Sequence, residues 1–551
     1  MSTSETYRAT SDRGKLLRTT LMLLAFSFAA LVGVQLADVT LTDAPAADLI
    51  LAIWATQSAA LVWALWLRLE RVHLGWSLAA LLLFETGWAF LFFTCVPWRL
   101  LAGEAQEPPP AVHAPPRRSA EAPVTLDETS PFDWPAFRGA QRDGRVAGVR
   151  LAADWPTAGP SEVWRQPVGA GWSSFAVVGD YCFTQEQRGE SETVVCYELA
   201  TGRECWVHRD DGVFHGYPGG DYGPRATPAV VGGCVYSLGA LGVLNCLDAT
   251  NGEARWSVDI LADNNTHNCH YGMCGSPLVL DDLVLDDLVF VSPGGAGASL
   301  VAYDAESGAK VWSAGDDQGS YSSPQPAVIG GRRQVLLLSG DSLSGHRLED
   351  GKVTWSYPWV SNPDEKNNVC QPVVLPTAKE RVTRVFIASG YGQGCVLLEI
   401  TRQGDEFALR EVWSNRNLKA KFSSVVVRDG FVYGLDERIL VCLDLETGQR
   451  RWKQGRYGFG QLILIDDVLL VQAESGDVAL VGADPSAYEE FARFSPLSNR
   501  TWNHPVVAGS RLLVRNASEA ACYELPLAGK MGDSSIREAE FNEAEFNEAG
   551  R

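Results

Sequence analysis

Leu244-Asn245-Cys246-Leu247-Asp248-Ala249-Thr250-Asn251-Gly252-Glu253-Ala254-Arg255-Trp256 decides the fold, because degenerate copies of this stretch recur along most of the chain. Copies with the same spacing end at Gly202/Trp206, Gly308/Trp312, Gly351/Trp355 and Gly448/Trp452, with Gly four residues before Trp each time. Looser copies end at Trp413 and, with Phe in place of Trp, at Phe494. Each reads as a β-hairpin: an apolar strand, an Asp/Thr/Gly turn whose glycine supplies a positive φ, and a second strand that carries the aromatic. An aromatic at a fixed place on every such strand packs between neighbouring sheets.

Working outward, an eighth aromatic strand, Ser161-Glu162-Val163-Trp164-Arg165, stands upstream without a hairpin of its own. The last repeat stops after Leu512-Leu513-Val514 and Ala521-Cys522-Tyr523 without an aromatic strand, so the two ends complement each other. Successive aromatics at 164, 206, 256, 312, 355, 413, 452 and 494 lie 39 to 58 residues apart. That spacing suits four-stranded propeller blades. The expectation is an all-β, eight-bladed propeller over residues 132–526, closed by pairing the Trp164 strand with the C-terminal strands so that no long edge is left open.

The Asp-Ala-x-x-Gly-x-x-x-Trp repeats resemble those of the PQQ-like, quinoprotein-type eight-bladed propellers. That family includes quinoprotein alcohol dehydrogenases and the propeller lipoprotein of the outer-membrane barrel assembly machine. The stretch Trp134-Pro135-Ala136-Phe137-Arg138-Gly139-Ala140-Gln141-Arg142-Asp143-Gly144 resembles the start of a PQQ-like subgroup of membrane-attached or secreted bacterial proteins. The resemblance covers roughly residues 132–526 and implies the fold; activity is a separate question, because one scaffold hosts unrelated functions.

Upstream, residues 1–18 are polar, with Arg8, Arg13, Lys15 and Arg18, and apolar stretches follow at about 19–36, 49–67 and 74–98. Each is long enough to cross a bilayer as a helix, which makes residues 19–101 a three-helix anchor. The loop after the first stretch holds Asp38, Asp43 and Asp48 and no basic residue, whereas the loop after the second holds Arg68 and Arg71. The positive-inside bias then puts the N-terminus in the cytoplasm and the propeller on the extracytoplasmic, periplasmic side of the inner membrane. A cleaved signal peptide shares the basic start and apolar run, but Val34-Gln35-Leu36-Ala37-Asp38 lacks a small-x-small site. Glu85, inside the third stretch, reads as one buried polar contact or a proton relay. Residues 102–131, rich in Pro and Ala, read as an extended linker, and 527–551 as an acidic disordered tail.

The net charge of -21 disfavours nucleic acid as a partner, since phosphate binding needs a basic surface. Cys196, Cys246 and Cys442 each stand six residues before a hairpin glycine and read as small buried residues. Cys269, His270 and Cys274 are candidates for a metal, a local disulfide or free thiols; ligands so close along one strand converge on an ion with difficulty. The acids of Asp281-Asp282-Leu283-Val284-Leu285-Asp286-Asp287-Leu288-Val289 read as a duplicated loop or as Ca²⁺ ligands.

Starts of innermost strands line a propeller's funnel. There the sequence offers Arg225, Tyr271, Lys419, Lys421, Arg456 and Arg500, with Glu186 and Arg188 on an adjacent strand, a set suited to an anionic or polar ligand. The resemblance would allow a PQQ-dependent dehydrogenase, yet this chain has no adjacent Cys-Cys pair and no assignable group of acid, amide and base for Ca²⁺ and catalysis. The sequence-based expectation is therefore a non-catalytic platform without cofactor that binds an envelope protein or polymer. PQQ with Ca²⁺ is the alternative.

Overall fold

A computed structural model describes residues 124–126 and 130–528, apart from 147, 157, 217–220 and 281–286. The three apolar stretches, nearly all of the linker, the tail from 529 onward and the acidic run at 281–286 therefore lie outside the described residues, while Leu527 and Ala528, expected in the tail, pair with Leu151 and Arg150. Among the described residues, no helix is long and apolar enough to cross a membrane.

Eight sheets follow one another, each an antiparallel blade of four strands, with the short strand Arg145–Val146 added in parallel to the seventh. Blade one runs from the inner Ala176–Val178 to the outer Glu204–Asp211, and blade two from Ala229–Val231 to Ala254–Asp259. Blades three to seven begin at Leu278–Leu280, Gln325–Ile329, Val373–Pro376, Val426–Arg428 and Gln461–Ile465. Blade eight joins Val506–Ala508, Arg511–Arg515 and Glu519–Glu524 to the upstream Ser161–Pro167, with Trp164 opposite Cys522. The ring closes as the sequence predicts. Middle strands are sandwiched on both faces, so Val468–Gln472 and Val478–Gly482 are buried throughout, whereas outer strands such as Glu204–Asp211 alternate.

The repeat motif is an interlock between blades. The indole N–H of Trp206 donates to Ala249 O at 2.9 Å in blade two, and a Cβ on Gly252, at φ +76°, would sit 2.4 Å from that ring. The same seat recurs beneath Trp164 (Gly202), Trp256 (Gly308), Trp312 (Gly351) and Trp413 (Gly448). Glycine is thus required twice at this position, for its positive φ and for the ring pressed against it. Phe494 has no N–H to donate; it rests on Gly159, which the upstream segment supplies. Blade five lacks the motif glycine, and Trp355 instead donates to Gln334 of its own blade at 2.8 Å. Trp452 follows the rule, donating to Asp484 O at 2.8 Å. A β-bulge in each outer hairpin aims these aromatics sideways into the next blade.

Candidate functional site

The loops that enter the inner strands build a belt around the central channel. Backbone N–H groups of Ser174, Thr227 and Ser276 each donate to a hydroxyl of the next blade: Thr227 Oγ1 at 3.2 Å, Ser276 Oγ at 2.9 Å and Ser323 Oγ at 2.9 Å. Ser323 N then donates to Gln371 Oε1 at 2.7 Å, and Gln371 N to Ser424 Oγ at 3.1 Å. Gln461 Nε2 bridges Phe422 O and Trp502 O, and Asn503 Nδ2 returns to Ser173 O at 2.7 Å, which completes the circuit of eight blades. Four belt residues precede proline (Thr227, Ser276, Ser323, Gln371), which holds them extended as they enter the strand. That Ser/Thr/Gln-Pro pattern is the signal in the sequence for the belt.

Residues Trp134–Gly144 plug one end of the channel. Trp134 pairs with Val177 in blade one, Val230 N donates to Pro135 O at 2.8 Å in blade two, and Gly144 leads into Arg145–Val146, which lies parallel to the inner strand of blade seven. Two buried arginines act as cross-bars. Arg142 donates to Pro277 O at 2.9 Å and Ser276 O at 3.0 Å in blade three; Arg138 donates to Val425 O at 2.8 Å in blade six. Burial pushes their guanidinium groups down, to about 9 for Arg142 and about 10 for Arg138. Sequence reasoning quoted this stretch only for its resemblance and missed its role as a plug. Arg515, also missed, ties blade eight to blade one through Thr184 Oγ1 (2.6 Å), Gln185 O (2.9 Å) and Gly169 O (3.0 Å).

Above the plug lies a cavity of about 230 Å³ floored by Phe137 and His504, whose rings meet edge-on at 4.9 Å. Its walls are Trp172, Tyr271, Tyr321, Tyr391, Phe422 and Trp502, the hydroxyls of the belt, Asn367, Cys274 and Arg225. Trp172, Trp502, Phe422 and Phe459 form a continuous aromatic arc with centroids 4.9 to 5.1 Å apart. Cations sit on this arc: Lys421 Nζ lies 4.7 Å from the Phe459 ring, Arg438 4.3 Å from the same ring and Arg500 4.6 Å from Trp502. No Asp or Glu is among the lining residues.

The structure thus brings Arg225, Tyr271, Lys421 and Arg500 to the mouth. Arg225 donates to Tyr271 O at 2.6 Å, and burial lowers its guanidinium from the ordinary range. Arg500 also pairs with Asp221. Of the other expected mouth residues, Lys419 is held in an ion pair in the loop that enters blade six, and three sit elsewhere. Arg456 ends the outer strand Arg450–Arg456, because the inner strand of blade seven begins only at Gln461. Lys419 is tied to Asp436, which Lys453 shares. Glu186 and Arg188 form a buried network inside blade one: Arg188 Nε lies 2.8 Å from Glu186, which also accepts from Gly169 N at 2.8 Å and Tyr197 Oη at 2.6 Å. Their bonds hold the hairpin together.

Cys269 and Cys274 are free thiols; burial pushes them up to about 11 and about 12, so neither is a ready metal ligand. Among the described residues, no three His, Cys, Asp or Glu side chains are grouped as a metal site requires.

The family model described as outer membrane protein assembly factor BamB matches residues 217–454. Quinohemoprotein alcohol dehydrogenase ADH-IIG of Pseudomonas putida is 30% identical over 148 residues, 25% of this chain and 20% of that protein. The dehydrogenase subunit of a quinone alcohol dehydrogenase of Gluconobacter oxydans is 27% identical over 168 residues, again 20% of its length. The chain thus spans about a fifth of the length of the curated relatives it matches. Among solved structures, the quinohemoprotein alcohol dehydrogenase ADHIIG from Pseudomonas putida HK5 superposes with a TM-score of 0.53 at 14% identity, covering 73% of this chain and 82% of that one. At that identity the likeness speaks for the fold alone. Repeats, blades and matches agree on the fold: the chain is an eight-bladed β-propeller, similar over part of its length to BamB and to the quinoprotein alcohol dehydrogenases.

Proposed function

We propose that this propeller is a non-catalytic binding platform of the bacterial envelope, held to the inner membrane by its upstream apolar stretches. One observation carries the binding reading: a cavity with Phe137 of the plug in its lining, walled by aromatic rings, with Arg225 in the wall and Lys421, Arg438 and Arg500 over the neighbouring rings. A cavity of about 150 Å³ already takes a benzene ring. At about 230 Å³ this one admits an indole or a single sugar ring, so an apolar group of a protein or polymer enters while its acidic neighbours meet the rim cations.

The cofactor that the fold family implies, PQQ with Ca²⁺, does not fit the donor set. A hard cation needs several oxygen ligands, carboxylates foremost. The walls offer neutral hydroxyls and amides, and Arg225 would repel the ion. A carboxylate base for alcohol oxidation is likewise missing from the wall.

The test uses the full chain in its own membrane, with a photo-cross-linking residue replacing Trp172 or, as a control on an outer strand, Arg451. Adducts of one species at the mouth and none at the outer strand are expected. Stoichiometric, PQQ-dependent oxidation of a primary alcohol would overturn the reading. Reporter fusions near residue 45 and after 528 should both report an external location, and a cytoplasmic signal from either would refute the membrane arrangement.

A further inference from the structure

The acidic repeat near the C-terminus has no place in the propeller. In Glu538-Ala539-Glu540-Phe541-Asn542-Glu543-Ala544-Glu545-Phe546-Asn547-Glu548 two phenylalanines each follow a glutamate, and five glutamates stand there with no Lys or Arg. The mouth offers the complement. Trp172, Phe422, Phe459 and Trp502 are all partly exposed, so the aromatic arc can meet a ring from outside. Arg438 and Arg500 are exposed beside it, and each already meets an acid, Glu474 at 3.9 Å and Asp221 respectively. Lys421 differs: its Nζ lies 4.9, 5.2 and 4.7 Å from the Tyr391, Phe422 and Phe459 rings, and among the described residues it pairs with no carboxylate. In a chain of net charge -21, that lysine is a seat for an acid that arrives beside an aromatic ring.

Chain length brings the repeat within reach. Gln461 lines the cavity and opens Gln461–Ile465; Asp466, the next residue after that strand, pairs with Arg150 at 3.4 Å, and Arg150 O accepts from Ala528 N at 2.9 Å. The chain therefore leaves the propeller one inner strand below the mouth, about 17 Å away along the blade. A route over the outer edge adds at most the width of four strands out and back, about 30 Å. Phe546 stands 18 residues after Ala528 and reaches about 60 Å when extended; Phe541, 13 residues after, reaches about 45 Å, no more than the route itself.

We propose that the mouth holds the chain's own tail, with the Phe546 ring against the Trp172–Trp502–Phe422 arc and its neighbouring glutamates on Lys421. Tail docking presupposes that the mouth binds ligands, as proposed above, and regulates that binding: an outside ligand has to displace the tail. The tether supplies an effective concentration on the order of 1 mM. Against a single ring and its ion pairs, with a Kd of about the same size, the mouth is filled about half the time and yields to any tighter ligand.

The experiment places a photo-cross-linking residue at Trp172 in the full chain and identifies the products by mass spectrometry. The expected product joins position 172 to the tryptic peptide Glu538–Arg551 of the same molecule. When light and isotopically heavy chains are mixed before illumination, light–heavy products should stay at background. Phe546→Ala should lower the yield about threefold or more, whereas Phe541→Ala should leave it nearly unchanged. Lys421→Gln should lower it too, as should 1 M salt, where the Debye length falls to about 3 Å. The tail substitutions lie outside the propeller, so a lost product does not report unfolding. Adducts to another molecule alone would overturn tail docking and leave the binding platform standing. Light–heavy products, or a yield unmoved in Phe546→Ala, would also overturn it, and no adduct of any kind at position 172 would sink both readings.

Discussion

Substituting Gly252 by alanine tests the interlock that sets the fold. At φ +76° an L residue in the left-handed region costs about 1 to 2 kcal/mol. The added Cβ would also lie 2.4, 2.8 and 3.0 Å from three ring carbons of Trp206. That ring cannot swing aside: Trp206 is buried and its indole N–H is held by Ala249 O. Overpacking of this kind costs about 1 to 3 kcal/mol more, so the total is about 2 to 5 kcal/mol. Gly404, at φ +66° with nothing within 4 Å of its would-be Cβ, isolates the backbone contribution, and its alanine variant should cost only about 1 to 2 kcal/mol. Denaturant unfolding followed by tryptophan fluorescence measures both. A Gly252→Ala substitution made on a Trp206→Ala background should fall back to the Gly404 value, because the clash has gone. Equal costs at Gly252 and Gly404, or an undiminished cost without the indole, would refute the interlock.

Trp164→Ala, which breaks the closing strand, should cost about 3 to 5 kcal/mol by the same assay, whereas removal of residues 529–551 should change stability by less than about 0.5 kcal/mol. Arg142→Ala should cost about 3 to 5 kcal/mol, since Pro277 O and Ser276 O lose a charged donor beneath the belt; a change under 1 kcal/mol would mean the plug is not held there. Burial raises Glu192 to about 7, so its contribution to stability is complete below its ordinary range and is lost as pH rises from about 4.5 to 7. Glu192→Gln should therefore gain on the wild type by up to about 3 kcal/mol at pH 8 relative to pH 4, and a pH-independent difference would refute this. Burial lowers His346 to about 4, which has the opposite sign: its contribution is complete above about 6.5 and lost as pH falls to 4, so His346→Gln should flatten the acid limb of the unfolding curve.

The fold was legible because the same local physics is written eight times. A hairpin glycine and an aromatic four residues on are set by one turn and one bulge, both short-range, so copies such as Gly308/Trp312 and Gly448/Trp452 stand out in a single sequence. Closure was legible for the same reason, since a Trp164 strand without a hairpin and a final hairpin without an aromatic each lack what the other has. Blade five marks the limit. Its outer hairpin has ten-residue strands and no seating glycine, so Trp413 is spaced differently even though it docks on Gly448 of blade six like the others.

The site was less legible because its residues come from eight loops of unequal length, each of which places a given side chain only after the strand beyond it is located. Four residues separate Arg456 from the inner strand of blade seven, which was enough to move it from the mouth to an outer edge. Glu186 and Arg188 failed for another reason: charged residues on a strand next to the funnel satisfy one another and Tyr197 before any ligand arrives, so their charge reports hairpin cohesion. The plug shows the converse. Arg138 and Arg142 carried no local pattern that names blades three and six, because the carbonyls that tie the plug to those blades lie more than 130 residues away. Affinity rests on the Trp172–Trp502–Phe422 arc and its cations, and substitutions on the plug should reach the ligand only through stability.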